Sequence, residues 1–280
     1  MSRLIKSFTY ENYGDCNGLT FDDKGNYILS STFKNIIFIF TPNGDFIKKI
    51  KFLDLTLTHN KTLIFYENTY SLLKYIDREI IIFDKNGNII TSFGKKIINK
   101  PLAMTRDYKG NYLVADGNNH EIQVFNSKGC FLYSFGEFGI NNGKFRYPSG
   151  ITCDLFGNYV ILDKGNHRIQ IFNSEGNFIT SFGKYGSSNG QFRYPGAIMC
   201  DNDGNFVIAD NGNHRIQIFS KEGDFICILD ENIESSTIMC DFLGNYVIID
   251  EENCEIKFYK RIGIPSLLTM CWQVINFYQI

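Results

Sequence analysis

Proline is scarce in this chain: five residues in 280, set against 25 glycines. That balance suits a turn-rich folded protein and excludes a stiff linker. An excess of one charge sign is also lacking, with 28 basic and 30 acidic side chains and a net charge of -2. Such a chain has no global pull towards nucleic acid or anionic lipid, which leaves only a local patch. No low-complexity block or shift of composition marks an internal boundary. The expectation is one domain over residues 1–260, followed by a short extension over 261–280. No C-x-x-C pair occurs among the eight cysteines, which excludes the usual zinc and redox spacings. The opening "MSRLIKSFTYENYG" has no apolar run leading into small residues, so no secretory signal is expected. Reduced thiols in a cytoplasmic, intracellular chain follow as the expectation. No Ser-His-Asp spacing, P-loop or paired catalytic carboxylates stand out, and no cofactor is implied.

What is present is repetition. The segment "FRYPSGITCDLFGNYVILDKGNHRIQIFNSEGNFI" from Phe145 returns 47 residues later as "FRYPGAIMCDNDGNFVIADNGNHRIQIFSKEGDFI" from Phe192. Gly-Asn-aromatic followed by an aromatic fifteen residues past the Gly occurs five times, from Gly25, Gly110, Gly157, Gly204 and Gly244. A copy without its Gly, "NTYSLLKYIDREIIIF", lies between the first two. The aromatic anchors at 40, 83, 125, 172, 219 and 259 are spaced by 43, 42, 47, 47 and 40 residues. Periods of this size belong to propellers, solenoids and arrays. Within one copy, "GITCD", "NYVILD", "RIQIF" and "NFITSFG" are short β-rich runs bounded by Gly, Asn and Asp. They read as four antiparallel strands with tight turns, the first over Gly150–Asp154. "YVIL" is apolar on both faces, as a sheet covered on both sides requires. The fold class is therefore all-β, a six-bladed β-propeller.

The pattern G-x-F-x-x-P-x-G-I, D-x-x-G-N, D-x-G-N-H-R-I-Q-I-F, G-x-F resembles the NHL repeat. The resemblance spans residues 4 to 259. Copies four and five match it closely, copy three carries Glu121 in place of Arg, and copies one, two and six depart further. Some propellers of this family bind RNA on one face, so the resemblance implies a binding role.

Copy six stops after "EIKFY", while "RLIKSFT" (Arg3 to Thr9) aligns with "NFITSFG". Leu4–Phe8 is therefore expected as the outer strand of the sixth blade, closing the ring and removing an exposed edge.

Several side chains are candidates for function. His120, His167 and His214 share one repeat position and are weak metal candidates, because equivalent atoms of neighbouring blades lie too far apart for bonds of about 2 Å. Arg168 and Arg215 pair in pattern with Asp163 and Asp210, which reads as scaffold, with ligand contact as the alternative. The blade-to-blade joints supply Lys95, Lys96, Lys100, Lys144, Arg146, Tyr147, Lys184, Tyr185, Arg193 and Tyr194. Together with the histidine turns they would make one face basic and aromatic, suited to single-stranded RNA. The competing reading packs Phe145, Tyr147, Phe192 and Tyr194 between blades. "IGIPSLLTMCWQVINFYQI", residues 262–280, lacks charge; packing against the disc is favoured over membrane contact. Three functions follow in order: a non-catalytic scaffold for a protein partner, an RNA-binding face, and a metal-dependent lyase or hydrolase.

Overall fold

A computed structural model describes residues 3–9, 16–31, 36–52, 62–235 and 237–261. The tail 262–280, and with it the question of membrane contact, lies outside the described residues. Among the described residues no helix is long and apolar enough to cross a membrane.

The chain begins with β1 (Arg3–Thr9). Five consecutive four-stranded sheets follow, each in simple antiparallel order. Blade one is β2 (Cys16–Phe21), β3 (Tyr27–Ser31), β4 (Ile36–Phe40) and β5 (Phe46–Lys51). Blade two is β6 (Leu63–Tyr66), β7 (Thr69–Lys74), β8 (Glu79–Asp84) and β9 (Ile89–Phe93). Blade three is β10 (Pro101–Arg106), β11 (Tyr112–Asp116), β12 (Glu121–Phe125) and β13 (Phe131–Phe135). Blade four is β14 (Pro148–Cys153), β15 (Tyr159–Asp163), β16 (Arg168–Phe172) and β17 (Phe178–Phe182). Blade five is β18 (Ala197–Cys200), β19 (Phe206–Asp210), β20 (Arg215–Phe219) and β21 (Phe225–Glu231). The sixth sheet holds β22 (Ile238–Cys240), β23 (Tyr246–Asp250) and β24 (Glu255–Lys260), with β1 as its fourth strand. The expected closure is present: Leu4 faces Tyr259 and Phe8 faces Ile256.

The inner strand of blade four starts two residues earlier than its pattern suggests. Pro148 pairs with Asp163, and a bulge separates it from Gly150. Proline is tolerated there because it opens the strand, where no ladder N–H is required.

Local chemistry explains the turns between first and second strands. Asp154 Oδ1 accepts the amides of Phe156 and Asn158 at 2.9 and 2.8 Å, and its Oδ2 accepts Asn158 Nδ2 at 2.8 Å. Gly157 follows at φ 81°, a left-handed conformation that side chains disfavour. Asp22, Asp107, Asp201 and Asp241 repeat the same arrangement.

The second strands of five blades, β3, β11, β15, β19 and β23, are buried along their whole length. They sit at mid-blade with sheets on both sides, which is why "YVILD" carries no polar alternation. The core is divided into six apolar clusters among the described residues, one at each blade interface. The cluster between blades six and one contains Tyr27, Phe40 and Phe258. Phe8 of β1 packs there, with ring centroids 6.0 Å from Phe40 and 5.7 Å from Phe258. Lys6 lies over the Phe258 ring at 4.3 Å. β1 thus joins the ends of the chain by ladder bonds and by aromatic packing. Phe8→Ala is expected to cost about 2–3 kcal/mol, the lower part of the range for large-to-small core changes because Phe8 is half-buried. A lowered urea midpoint with unchanged m would show it.

Candidate functional site: the joint face and channel mouth

Antiparallel order places the joints between blades and the turns between second and third strands on one face of the disc. The local geometry of that face begins at the end of the second strand. In blade four, Asp163 is fully buried. Its Oδ1 accepts the Arg146 amide at 2.7 Å. Its Oδ2 accepts Asn166 Nδ2 at 2.8 Å, Arg168 Nε at 2.9 Å and Gln170 Nε2 at 3.1 Å. Arg168 then reaches across to the joint, donating from Nη2 to the carbonyls of Asn141 and Lys144 at 2.7 and 3.0 Å. Blade five repeats this with Asp210, Asn213, Arg215 and Gln217. Arg215 Nη2 donates to the carbonyls of Ser188 and Gln191 at 2.8 and 3.0 Å. Both arginines therefore spend their donors on holding the joints.

The histidines sit in left-handed turns, His120, His167 and His214 having φ of 57°, 55° and 51°. Nδ1 of His120 accepts the Tyr147 amide and Nδ1 of His167 the Tyr194 amide, each at 3.1 Å. His214 Nδ1 lies 3.1 Å from Glu234. Burial holds the His167 imidazole below its ordinary pKa, against the pull of Asp210. Among the described residues no three His, Cys, Asp or Glu side chains converge as metal ligands.

The joint side chains divide three ways. Phe145 and Phe192 are fully buried between blades. Tyr185 and Tyr194 are 61% and 53% exposed and flank the His167 ring at 4.9 and 4.8 Å. Phe138, 64% exposed, makes the corresponding contact with His120 at 5.0 Å. Lys95, Lys96, Arg146, Lys184 and Arg193 are exposed. Lys144 is paired with Glu137 at 2.8 Å. Lys100 and Tyr147 are half-buried and turn to the channel.

That channel is a cavity of about 870 Å³ enclosed by the inner strands of all six blades. Tyr75, Lys100, Tyr147 and Glu251 stand at its joint-face mouth. Lys100 Nζ lies 4.8 Å from the Tyr147 ring centre and 5.8 Å from that of Tyr75. Tyr75 escaped sequence reasoning because copy two departs from the repeat. Aligning its turn "KYIDRE" with "DKGNHR" would have placed it on this face.

Residues 192–219, from the end of a joint through β20, match the NHL repeat. The fifth blade is an NHL repeat. Comparison with curated proteins gives no match. Among solved structures the chain is similar to a streptogramin B lyase, at 15% identity and TM-score 0.65, covering 91% of this chain and 96% of that one. It is also similar to a catalytically inactive virginiamycin B lyase from Staphylococcus aureus with quinupristin, at 16% identity and TM-score 0.68, covering 94% and 100%. The WD40 β-propeller domain of Doa1 is similar at 12% identity and TM-score 0.66, covering 88% and 79%. At these identities the likeness shows the fold alone.

Opposite the joint face, the NHL blade and its neighbours carry thiols at equivalent inner-strand ends: Cys153, Cys200 and Cys240. Burial pushes all three up to about 12, with nearby carboxylates adding to the effect. These groups remain thiols at neutral pH.

Three outcomes follow for this region. Asp163→Ala is expected to lower stability by about 3–5 kcal/mol, because it leaves the partly buried Arg168 charge unpaired. Faster amide exchange at Gly143 and Arg146 would accompany it. At about pH 8, iodoacetamide should label exposed Cys130 well before Cys153, Cys200 and Cys240, as mapped by mass spectrometry. The stability linked to these three thiols is present below about pH 8.5, the unfolded value. It is lost as pH rises towards about 12, visible as a falling urea midpoint.

Proposed function

We propose that the chain is a binding module that recognises a protein partner through the joint face over blades three to five. One observation carries this: exposed aromatic rings and guanidinium groups stand together on loops that are internally tied down. Tyr185 and Tyr194 flank His167, Phe138 packs on His120, and Arg146 and Arg193 are exposed alongside. Tyr and Arg are the side chains that most often dominate protein interfaces. A ring held by neighbouring contacts loses little freedom on binding, so more of its burial appears as affinity. The carboxylates Glu137 and Glu234 on the same face also suit a protein surface of mixed charge better than a phosphate backbone.

RNA is the second reading, because the same rings and cations suit base stacking and phosphate contact. The experiment separates the two. Immobilised full chain is incubated with lysate of the source organism, with and without nuclease, and captured molecules are identified. A protein retained after nuclease, and reduced at least tenfold by Tyr185→Ala/Arg193→Ala/Tyr194→Ala, supports the proposal. Capture that nuclease abolishes, or that the triple variant leaves unchanged, overturns it.

A further inference from the structure

The channel mouth offers chemistry that the joint face does not use. Lys100 precedes Pro101, as Tyr147 precedes Pro148 and Tyr194 precedes Pro195. In the third blade the repeated tyrosine is thus replaced by a cation, and its side chain borders the cavity. Four other half-buried or buried cations of the disc pair with a carboxylate: Lys74 with Asp77, Arg168 with Asp163, Arg215 with Asp210, Lys257 with Asp250; Arg106 lies instead over the rings of Tyr66 and Tyr112. Among the described residues no carboxylate pairs with Lys100; its neighbours are the rings of Tyr147 and Tyr75. Asp116, the carboxylate bound to its backbone, is already committed. Oδ1 accepts the Lys100 amide at 2.8 Å, and Oδ2 accepts the Asn99 amide and Gln123 Nε2. Hydrogen bonds to the Tyr147 and Tyr75 phenols raise the Lys100 pKa, so the group is an ammonium at neutral pH.

One hydroxyl beside it has no partner. Ser149 is only 9% exposed and lines the same cavity, and its hydroxyl makes no hydrogen bond. Leaving a buried hydroxyl unpaired is costly, and a group bound in the cavity would relieve that cost at Ser149. Below it the inner-strand walls mix apolar side chains, including Leu102 and Ile198, with hydroxyls such as Thr20, Thr152 and Thr237. Among the described residues the charged lining consists of Lys100 and Lys164 against Glu251. A smaller hollow of about 310 Å³ on the other side of Lys100 adds the exposed Arg78. The cavity volume falls within the range of small-molecule sites, about 300–1,000 Å³.

The geometry points to the channel as a binding site for a small amphiphilic anion. Its carboxylate or phosphate head sits at Lys100 and Ser149, with its apolar body along the inner strands. The head accepts from the Lys100 ammonium and the Ser149 hydroxyl. This site stands independently of partner recognition on the joint face.

Calorimetry with the full chain tests it, using dodecanoate, dodecyl phosphate, dodecanol and dodecyltrimethylammonium below their micellar concentrations. Saturable binding of dodecanoate or dodecyl phosphate, one per chain and at least tenfold tighter than dodecanol, supports the site. The tighter of the two identifies the head. Lys100→Met should weaken the anion at least tenfold, Lys100→Arg should restore it, and Ser149→Ala should weaken it about threefold, on the scale of one hydrogen bond. Thermal melts report whether each variant folds. The preference of the unaltered chain for anion over alcohol decides the question even if Lys100→Met does not fold. No saturable binding, equal binding of the alcohol or cation, or an anion affinity unmoved in a folded Lys100→Met protein overturns the proposal. The Tyr185→Ala/Arg193→Ala/Tyr194→Ala protein should keep its anion affinity, which separates this outcome from failure of partner recognition.

Discussion

A buried carboxylate at the end of the second strand organises each well-matched blade. Asp163 and Asp210 are wholly removed from water, which would be prohibitive for a lone charge. Each is satisfied by four donors drawn from three places: the incoming joint, the turn, and the third strand. One ion therefore welds a joint to a blade. The face of the disc is as rigid as these anchors make it.

Three blades that depart from the repeat solve the same problem with other groups, while blade one carries no ion there, Ser31 facing Ile36. Blade two inverts the charges: Lys74 takes the aspartate position and Glu79 the arginine position, 3.6 Å apart, with Asp77 also on Lys74. In blade three both Asp116 and Glu121 are acidic, and Gln123 Nε2 bridges them at 3.1 and 3.0 Å. Blade six moves its cation two residues along the third strand, where Lys257 meets Asp250 at 2.7 Å. Burial pushes the Asp250 carboxyl up, but Lys257 and Asn253 outweigh it and hold it below the ordinary carboxylate range. In blades two, three and six the degeneracy is thus compensated change around one physical need, the neutralisation of an ion at mid-face. Because the compensation differs by blade, so does what each joint presents.

Around this frame, apolar packing is distributed over six interfaces, and the β1 contribution lets the last of them resemble the others. A ring of this kind has no end at which unfolding starts cheaply, since opening any interface exposes two sheet faces. Its centre cannot fill completely, because six inner strands converge without meeting. The channel is the geometric consequence of blade number, and its lining is drawn from the inner strands of all six blades.

Blade number, strand order and ring closure were legible in the sequence. They rest on local chemistry: the Asp-x-x-Gly-Asn turn, the fully apolar second strand and a constant offset to an aromatic, each visible within some twenty residues. The fate of individual joint side chains was not. Phe145 and Tyr147 are two residues apart in a loop without strand alternation, yet one is fully buried and the other borders the channel. Tyr194, the repeat equivalent of Tyr147, is exposed beside His167. The difference arises from what the preceding blade presents, with Lys100 next to Tyr147 at 4.8 Å. The sequence by itself determined a closed ring of six sheets and the polarity of its turns, because those depend on neighbours along the chain. Only tertiary structure decided which cations are spent on scaffold and which remain at the mouth, because that depends on groups brought together from different blades when the ring closes.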